Sequence, residues 1–440
     1  MSVIVKKKVS EIIDRDYRGF AMYTIESRAL PSYIDGLKPS ARKLVYAMIT
    51  QFKGKKVKVA ELGSSLPSYN YHHAEGSAMS AVVTLAADWS NNIPIFRGYG
   101  NFGSRLIQEA AAPRYIFCDL NPEFKKYFIH NEVCNPNIDV DNPEPQQYLP
   151  LIPWILVNGI EGIAVGFACK YLPHDPKDIL KATIKAANGK LKSDYKLSIK
   201  IPHFKGTIEH DPTNHKRVIT KGVVNRVGRN KWEITELPYG YDREKYFKVL
   251  SSLIEKKKIA DFEDRCDESG FNFLIKTDSV QDAKCAKDPI DYFSLEKAIT
   301  ENYNALDEQG KLMMFENKVD IINKFVEFRI GKVREYIDYE IKRIEKDLNW
   351  CNAKLNFITD VISNKIAIMK HSKAELVELV KTQYDVPDEV ANRLVSIPVY
   401  NMTQDQVEEL KVIIDGLNTK LNELQSTNER ELYIDLLKGI

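Results

Sequence analysis

The sequence predicts a multidomain α+β protein whose C-terminal third is a long antiparallel coiled coil with a globular helical tip. Three observations carry that expectation. At 440 residues and 50.4 kDa the chain exceeds what one compact core holds, since domains usually run to about 100–200 residues. From Gly206 it turns strand-rich: Thr207-Ile208-Glu209, the run Val218 to Val227 and Trp232-Glu233-Ile234-Thr235 are separated by turn residues such as Gly228-Arg229-Asn230. Beyond residue 330, apolar side chains recur at steps of three and four, the spacing of a coiled-coil seam.

Residues 8–50 read as helical. Ser10 is placed to cap a first helix, and Tyr17-Arg18-Gly19-Phe20-Ala21-Met22-Tyr23 carries a second apolar period. Leu30-Pro31 through Gly36-Leu37-Lys38-Pro39 is rich in turn formers and reads as a loop, after which Ser40 caps a helix with Leu44 and Met48 on its apolar face. Arg42 and Lys43 then fall in the first turn, where the helix dipole disfavours cations. Cations set there call for an anionic partner, and a phosphate backbone also suits the open amides of a helix N-terminus better than a carboxylate surface does. The stretch from Gly206 reads as a hairpin-bearing α/β module. Ile330, Val333, Ile337, Ile341, Ile344, Leu348, Cys351, Leu355, Ile358 and Ile362 follow as one helical seam with a single stutter. A second seam of Val407, Leu410, Ile414, Leu417, Leu421 and Leu424 starts after the capping box Thr403-x-x-Gln406 and is expected to pair antiparallel with the first. Between them, residues 372–400, punctuated by Pro387 and Pro398, read as a helical knob suited to dimerisation rather than catalysis.

Composition excludes several classes. With 44% hydrophobic and 28% charged residues and no low-complexity tract, the chain has enough apolar surface to fold over most of its length. No run approaches the roughly 18–20 apolar residues of a membrane span, and MSVIVKKKVSEIIDR lacks the apolar core of a signal peptide. A soluble protein of the cytoplasm is expected. Cys118, Cys134, Cys169, Cys266, Cys285 and Cys351 are scattered with no C-x-x-C pair, which fits free thiols and speaks against a zinc site. The net charge of +2 hides an asymmetry: residues 1–60 hold thirteen Lys or Arg against five Asp or Glu, whereas residues 403–440 hold four against eight. A polyanion meeting the N-terminal part is one reading, and a solvated lysine-rich face is the other.

Gly98-Tyr99-Gly100-Asn101-Phe102-Gly103 matches the dinucleotide string G-x-G-x-x-G, with a helix-like Arg105-Leu106-Ile107 behind it. Such a site needs an unbroken strand before the first glycine and an acidic residue about 20 positions on. Pro94 and Arg97 spoil the strand, and no full βαβ unit precedes Asp119. Glu75-Gly76-Ser77-Ala78 and Asp139-Val140-Asp141 are similar to pieces of a magnesium-binding toprim domain, but no apolar strand precedes Glu75 and the D-x-D lies in a Pro/Asn-rich loop. His130, His174, His203, His210, His215 and His371 show no metal-ligand spacing and no P-loop is present, so neither a metal site nor ATP hydrolysis is expected of this chain. What stands out is a polar cluster in the first third: Arg28, Lys38, Arg42, Lys43, His72, His73, Asn101, Ser104, Arg105, Arg114 and Tyr115. Arg114-Tyr115 follows Glu109-Ala110-Ala111-Ala112-Pro113, whose small side chains let a partner backbone come close. A tyrosine beside an arginine suits attack on a phosphodiester, because the phenol must lose its proton and the pentavalent phosphate needs its charge neutralised. Taken alone, Tyr115 also fits a packed aromatic.

Five groups of strings, in order, carry a resemblance. They are Ser27-Arg28-Ala29-Leu30-Pro31 with Asp35-Gly36-Leu37-Lys38-Pro39; Tyr71-His72-His73; Gly98-x-Gly100-Asn101-Phe102-Gly103-Ser104; Ala110-Ala111-Ala112-Pro113-Arg114-Tyr115; and Ile152-Pro153 to Val157-Asn158-Gly159 with Gly162-Ile163-Ala164-Val165-Gly166. Together they resemble the DNA breakage and reunion part of type IIA DNA topoisomerases over nearly the whole chain. The likeness is strongest to the branch from large tailed phages, where this part is a separate medium subunit. It implies an N-terminal helix and winged-helix DNA-cleavage domain over 1–125, an α/β tower (shoulder) domain over 126–315, and a coiled coil with a dimerising gate over 316–440.

The same resemblance implies roles. Tyr115 would be the nucleophile that forms a transient 5′-phosphotyrosine bond, Arg114 would stabilise the transition-state phosphate, Arg28 would lie near the scissile phosphate, and His73 would act as general acid/base or phosphate donor. Lys38, Arg42, Lys43, His72, Asn101 and Ser104 would contact DNA, and Ile152 would wedge between base steps and bend the duplex. Mg2+ and ATP are implied to be bound mainly by a separate ATPase/toprim subunit. The implied partners are that subunit, double-stranded DNA and a second copy of this chain, joined through the winged helix and the coiled-coil tip; no membrane is implied, and a viral chain would work in the host cytoplasm. Ala74 and Gly76 depart from the family's pattern after the histidines. No Q-R-R-G-G-K-G string follows the coiled coil, so ATP-dependent relaxation and decatenation are implied rather than gyrase-like supercoiling. A reading from another class, a catalytically silent DNA-bending subunit, uses the same basic residues for phosphate binding alone, but gives Arg114-Tyr115 nothing to do.

Overall fold

Leu44, Val45 and Met48 are fully buried and fix helix α1 (Pro39–Thr50) against the first core. Its N-cap is Lys38 and not Ser40: Pro39 already occupies the first helical position, where its preset φ fits and its missing N–H is not needed. Nor does Ser10 cap the preceding segment. Residues 9–29 form one run alternating between α and π turns, begun at Val9 with no side-chain cap, and Val9, Ile12, Ile13, Tyr17, Phe20 and Tyr23 on it are exposed. The computed structural model describes residues 8–71 and 74–440; these divide into a unit reaching Arg329 that also includes Leu436–Ile440, and a second unit, Ile330–Asp435.

In the first unit, α1 is followed by β1 (Val57–Lys58), α2 (Val59–Ser64), α3 (Glu75–Ala86), β2 (Phe96–Tyr99) and β3 (Phe117–Leu120), with the three strands antiparallel in the order β1-β3-β2. Arg97 does not break β2. It sits directly opposite Asp119 and binds that carboxylate through Nε and Nη2 at 3.1 and 2.7 Å, so a charge in the strand is matched across the ladder. Arg105-Leu106-Ile107 is not helical, since these residues lie in the loop between β2 and β3.

One buried ion pair ties the loop before α1 to the rest. Asp35 and Arg42 are both buried; Asp35 accepts from Arg42 Nε (2.9 Å) and Nη2 (3.2 Å), and also from the backbone amides of Leu37 and Tyr148 (both 3.0 Å). Arg42 Nη2 donates in turn to the Leu37 carbonyl at 3.0 Å. Burial alone would pull the guanidinium pKa down, but Asp35 more than reverses this and leaves it raised.

Past the hairpin β4 (Ile160–Ile163) and β5 (Ala168–Tyr171) and the strand β6 (Thr207–His210), the run 218–227 splits at Gly222 into β7 (Arg217–Lys221), which pairs with β6, and β8 (Val223–Gly228), which belongs to a different sheet. A Cβ on Gly222 would lie 2.3 Å from the Glu236 carbonyl, so the crossing requires glycine. β8 joins a four-stranded sheet in the order β10-β11-β9-β8, with β9 Lys231–Glu236, β10 Asp261–Asp264 and β11 Phe273–Lys276. The sheet packs on the helix Arg243–Glu255 through Trp232, Ile234, Tyr246, Leu250, Phe273 and Phe293.

The helix Lys318–Ile362 starts twelve residues before Ile330, where its seam was expected to begin. In the second unit Val333, Ile337, Ile344, Leu348, Cys351 and Ile358 are buried along it. Ala353, Phe357 and Ile358 share a core with Val407 and Leu410 of the helix Gln404–Ser426, while Glu340 faces Lys420 (3.9 Å) and Arg334 faces Glu429 (3.9 Å). Numbers fall on one side as they rise on the other, so the chain runs antiparallel there. Thr403 caps its helix by accepting from Gln406 N, but Gln406 turns to Glu409, so only half of the expected box forms. In this unit a reciprocal box forms at Ser372 and Glu375, opening the first knob helix, Lys373–Tyr384, which is followed by Asp388–Val395.

Substituting Arg42→Met leaves the Asp35 carboxylate buried without its cation; denaturant unfolding monitored in the first unit is expected to show a loss of about 3–5 kcal/mol.

Candidate nucleic-acid interface

The loop between β2 and β3 is built by its own polar residues. The Gly103 amide donates to Asn101 Oδ1 (2.8 Å), the Leu106 and Ile107 amides donate to Ser104 Oγ (both 3.2 Å), and the Ala111 amide donates to the Asn101 carbonyl (3.0 Å). Arg105, buried between, anchors the loop through Glu236 (2.9 Å) and the His203 carbonyl, with Phe204 and Phe271 against its guanidinium. Asn101 and Ser104 remain exposed at the surface of the loop.

This loop presents Tyr115. The Tyr115 amide closes a turn onto the Ala112 carbonyl (2.9 Å), and α2 docks from behind through Val59 N to Ile116 O (3.0 Å) and Ala60 N to Pro113 O (3.1 Å). The side chain is 68% exposed, and the Arg114 guanidinium stands 4.8 Å from its ring centroid. The backbone around it is therefore fixed while the phenol faces outward.

A second constellation surrounds Lys38. Its ammonium donates to the Glu161 carbonyl at 2.7 Å, and burial lowers its pKa against the opposing pull of Cys169 and Glu161. Exposed Arg28 ends the helical run 9–29 and acts on Tyr71, whose pKa burial raises and Arg28 lowers. A groove of about 660 Å³ is lined by Arg28, Lys38, Ser40, Lys43, Tyr71 and Asp139, among others. Tyr115 and Arg114 are not among its lining residues.

Arg42 and Lys43 find their anions inside the chain. Arg42 is held by Asp35, and the Lys43 ammonium is buried among Glu144 (2.9 Å), the Asn142 Oδ1 (2.6 Å) and the Tyr69 carbonyl (2.7 Å). The expectation that a phosphate suits these cations better than a carboxylate is corrected at both positions: the fold supplies a carboxylate at close range, and both side chains are withdrawn from solvent. Asn142 Oδ1 also accepts from Asn70 Nδ2 (3.1 Å), and Asn70 is left-handed at φ 58°, so Lys43 braces the backbone that leads into Tyr71. His72 and His73 lie outside the described residues.

Ile152 is 0% exposed and packed in the apolar stretch 148–157, so it cannot reach a base step. Ile163, at the tip end of β4, is 79% exposed. The hairpin that carries it sits hard against the helical run: a Cβ on Gly162 would lie 2.2 Å from the Ala29 carbonyl, next to Arg28.

Among the described residues, no three His, Cys, Asp or Glu side chains converge as a metal-binding group. Asp139, in the Asp139-Val140-Asp141 string, spends its carboxylate on the Asp141 amide (3.2 Å) and Asn142 Nδ2 (3.2 Å). Among the described residues, the side chains present thus do not by themselves fit a Mg2+ ion. All six cysteines are free thiols.

The DNA gyrase/topoisomerase IV A-subunit family model matches residues 28–438. The chain belongs to this family of type II DNA topoisomerases. It is 34% identical to the DNA topoisomerase medium subunit of Enterobacteria phage T4 over 416 residues, covering 92% of each chain. It is 30% identical to the mitochondrial DNA topoisomerase 2 of Dictyostelium discoideum, covering 92% of this chain but only 33% of that protein. In three dimensions it is similar to the DNA-binding, cleavage and re-ligation domain of Plasmodium falciparum topoisomerase II, with a TM-score of 0.85 at 26% identity, over 94% of this chain and 62% of that one.

Ile152, the residue the resemblance implies as a wedge, is thus buried, while Ile163 is exposed. The available signal was context: Ile152 stands among Leu149, Leu151, Trp154, Ile155, Leu156 and Val157, whereas Ile163 is flanked by Gly162 and Ala164. Ile152→Ala is expected to cost about 2–5 kcal/mol in denaturant unfolding, while Ile163→Ala leaves the unfolding midpoint unchanged.

Proposed function

We propose that this type II topoisomerase subunit cleaves and reseals duplex DNA through Tyr115. The observation that carries the reading is an exposed phenol on a hydrogen-bonded turn with the Arg114 guanidinium beside its ring. The phenolic oxygen attacks phosphorus, the bond from phosphorus to the 3′ oxygen breaks, and the proton lost by the phenol is balanced by the one gained by the 3′-hydroxyl. Arg114, and Arg28 from the groove, offset the charge on the phosphoryl oxygens. His73 is assigned the acid/base role by sequence likeness. Because phosphotyrosine keeps the phosphodiester's bond energy, the reverse attack by the 3′-hydroxyl needs no further reactant.

The remaining assignments follow the same reading. Lys38, Asn101 and Ser104, with His72, contact the DNA, and Ile163 takes the wedging role, its hairpin braced on Ala29. Arg42 and Lys43 serve as positioning residues. Residues 1–125 act as the winged-helix cleavage domain, 126–315 as the tower, and 316–440 as the coiled coil and dimerising gate. Type II topoisomerases use Mg2+ and ATP, and we assign both mainly to a separate ATPase/toprim subunit, with a second copy of this chain completing the cleavage core. Passage of one duplex through another then gives relaxation and decatenation, in the host cytoplasm for a phage protein. No helix among the described residues is long and apolar enough to cross a membrane.

The test combines the chain with its partner subunit, magnesium and internally labelled duplex, followed by a detergent quench and a denaturing gel. Label should migrate with the 50.4 kDa chain and vanish in Tyr115→Phe with DNA binding kept; label retained in that variant overturns the assignment. Lys43→Met should slow single-turnover cleavage by about 10–100-fold through misplacement of the 70–71 backbone. Its slope of log binding constant against log salt should stay as in wild type, whereas loss of a phosphate contact would lower that slope by about 0.9.

A further inference from the structure

Five exposed lysines, Lys53, Lys55, Lys56, Lys58 and Lys125, gather along one edge of the three-stranded sheet, away from the Arg28 groove. Lys58 pairs with Phe117 in the β1–β3 ladder, Lys56 lies 4.2 Å from the Tyr99 ring and 5.2 Å from the Phe117 ring, and the Leu120 amide donates to the Gly54 carbonyl. The segment 54–59 therefore runs alongside β3, from the Tyr115 end, where Val59 binds Ile116, to the far end at Leu120. There the Lys125 ammonium lies 3.5 Å from where a Cβ on Gly54 would stand.

Among the described residues, none of the five makes a salt bridge with a carboxylate. The acids nearby in sequence or register do not neutralise them. Asp119 is taken by Arg97 and Tyr99, Glu123 by Lys126, and Glu61 is a single exposed charge on α2. The turn itself is costly: Lys53 is left-handed at φ 54° followed by Gly54 at φ 70°, held by the Gly54 amide on the Met48 carbonyl (2.8 Å). A fold that crowds like charges on a fixed turn without a counter-charge is complementary to an external polyanion.

We propose that this lysine edge binds the phosphate backbone of the duplex attacked by Tyr115, a few nucleotides to one side of the scissile phosphate. The inference rests on the Tyr115 reading. The edge extends about 15 Å at the rise of an extended strand, which matches about four base-pair steps. It adds a region of contact that begins where the nucleophile's loop joins β3 and leads away from it.

The full chain in which Lys53, Lys55, Lys58 and Lys125 are changed to Gln, with Lys56 kept for its ring contacts, is titrated against a duplex of about 12 base pairs centred on the cleavage site and one of about 30. On both duplexes the salt slope is expected to fall by about 3–4 and affinity by roughly tenfold or more, because about four base-pair steps from the scissile phosphate lie within the short duplex as well. Changing the same four residues to Arg should restore the slope. An unchanged slope on either duplex in a folded variant, or a loss confined to the long duplex, overturns the proposal. If the fourfold variant fails to fold, Lys55→Gln with Lys125→Gln is read in the same way, with an expected fall of about 1.8. Label on the chain lost in Tyr115→Phe but kept by the Gln variant at saturating DNA separates the two readings: the lysine edge can fail while Tyr115 stands.

Discussion

The buried pair of Asp35 and Arg42 is the constraint on which the N-terminal architecture depends. One carboxylate receives a guanidinium and two backbone amides, from Leu37 and Tyr148, so the loop 30–37, helix α1 and the apolar segment beginning at Tyr148 meet at a single group. Taking two charges out of water is expensive, and apolar residues of the same shape often serve stability as well or better. What they do not supply is direction. Here the pair sets where the loop re-enters α1, and Lys38 stands at that junction as the N-cap, its ammonium aimed at the Glu161 carbonyl.

Around that junction the cations divide by burial. Arg42, Lys43 and Arg105 are each committed to an internal carboxylate, Asp35, Glu144 and Glu236, and act as fasteners for the loop before α1, the backbone at 69–70 and the loop that carries Tyr115. Arg28 and Arg114 remain exposed. An ammonium or guanidinium already saturated with short, buried hydrogen bonds cannot also serve a phosphate without unmaking the fold, so the cations left for the DNA of the proposed reading are the exposed ones and half-buried Lys38, which donates to the Glu161 carbonyl.

This division was the part illegible in the sequence. Periodicity placed the seam residues of the long helices well, because an apolar stripe is a local property: Val333, Ile337, Ile344 and Ile358 are buried where the spacing put them. Turn chemistry placed Gly228-Arg229-Asn230, with Asn230 at φ 59°. Whether Arg42 meets Asp35 or a ligand depends on a carboxylate seven residues away, and Lys43 depends on Glu144, a hundred residues away; neither pairing leaves a periodic trace. Arg97 misled for the same reason, since its strand is permitted by Asp119 on the neighbouring strand. Ser40 lost the cap to Lys38 because proline fixes the helix start one residue earlier.

The exposure of Ile163, set against the burial of Ile152, points to a coupling that the sequence hid. Gly162 is pressed against the Ala29 carbonyl, Lys38 binds the Glu161 carbonyl, and Ile163 comes next in the same strand. Three consecutive residues of β4 thus meet the N-cap of α1, the end of the helical run at Ala29, and solvent. On the proposed reading the wedge and the two phosphate-holding cations cannot move independently. A duplex bent over Ile163 is presented to Arg28 and Lys38 in one register, and displacing the hairpin would shift both cations with it. A side chain at Gly162 would separate the hairpin from Ala29 without touching any group to which the proposed reading gives a DNA contact, which on that reading makes the small residue part of the cleavage geometry and not only of the turn.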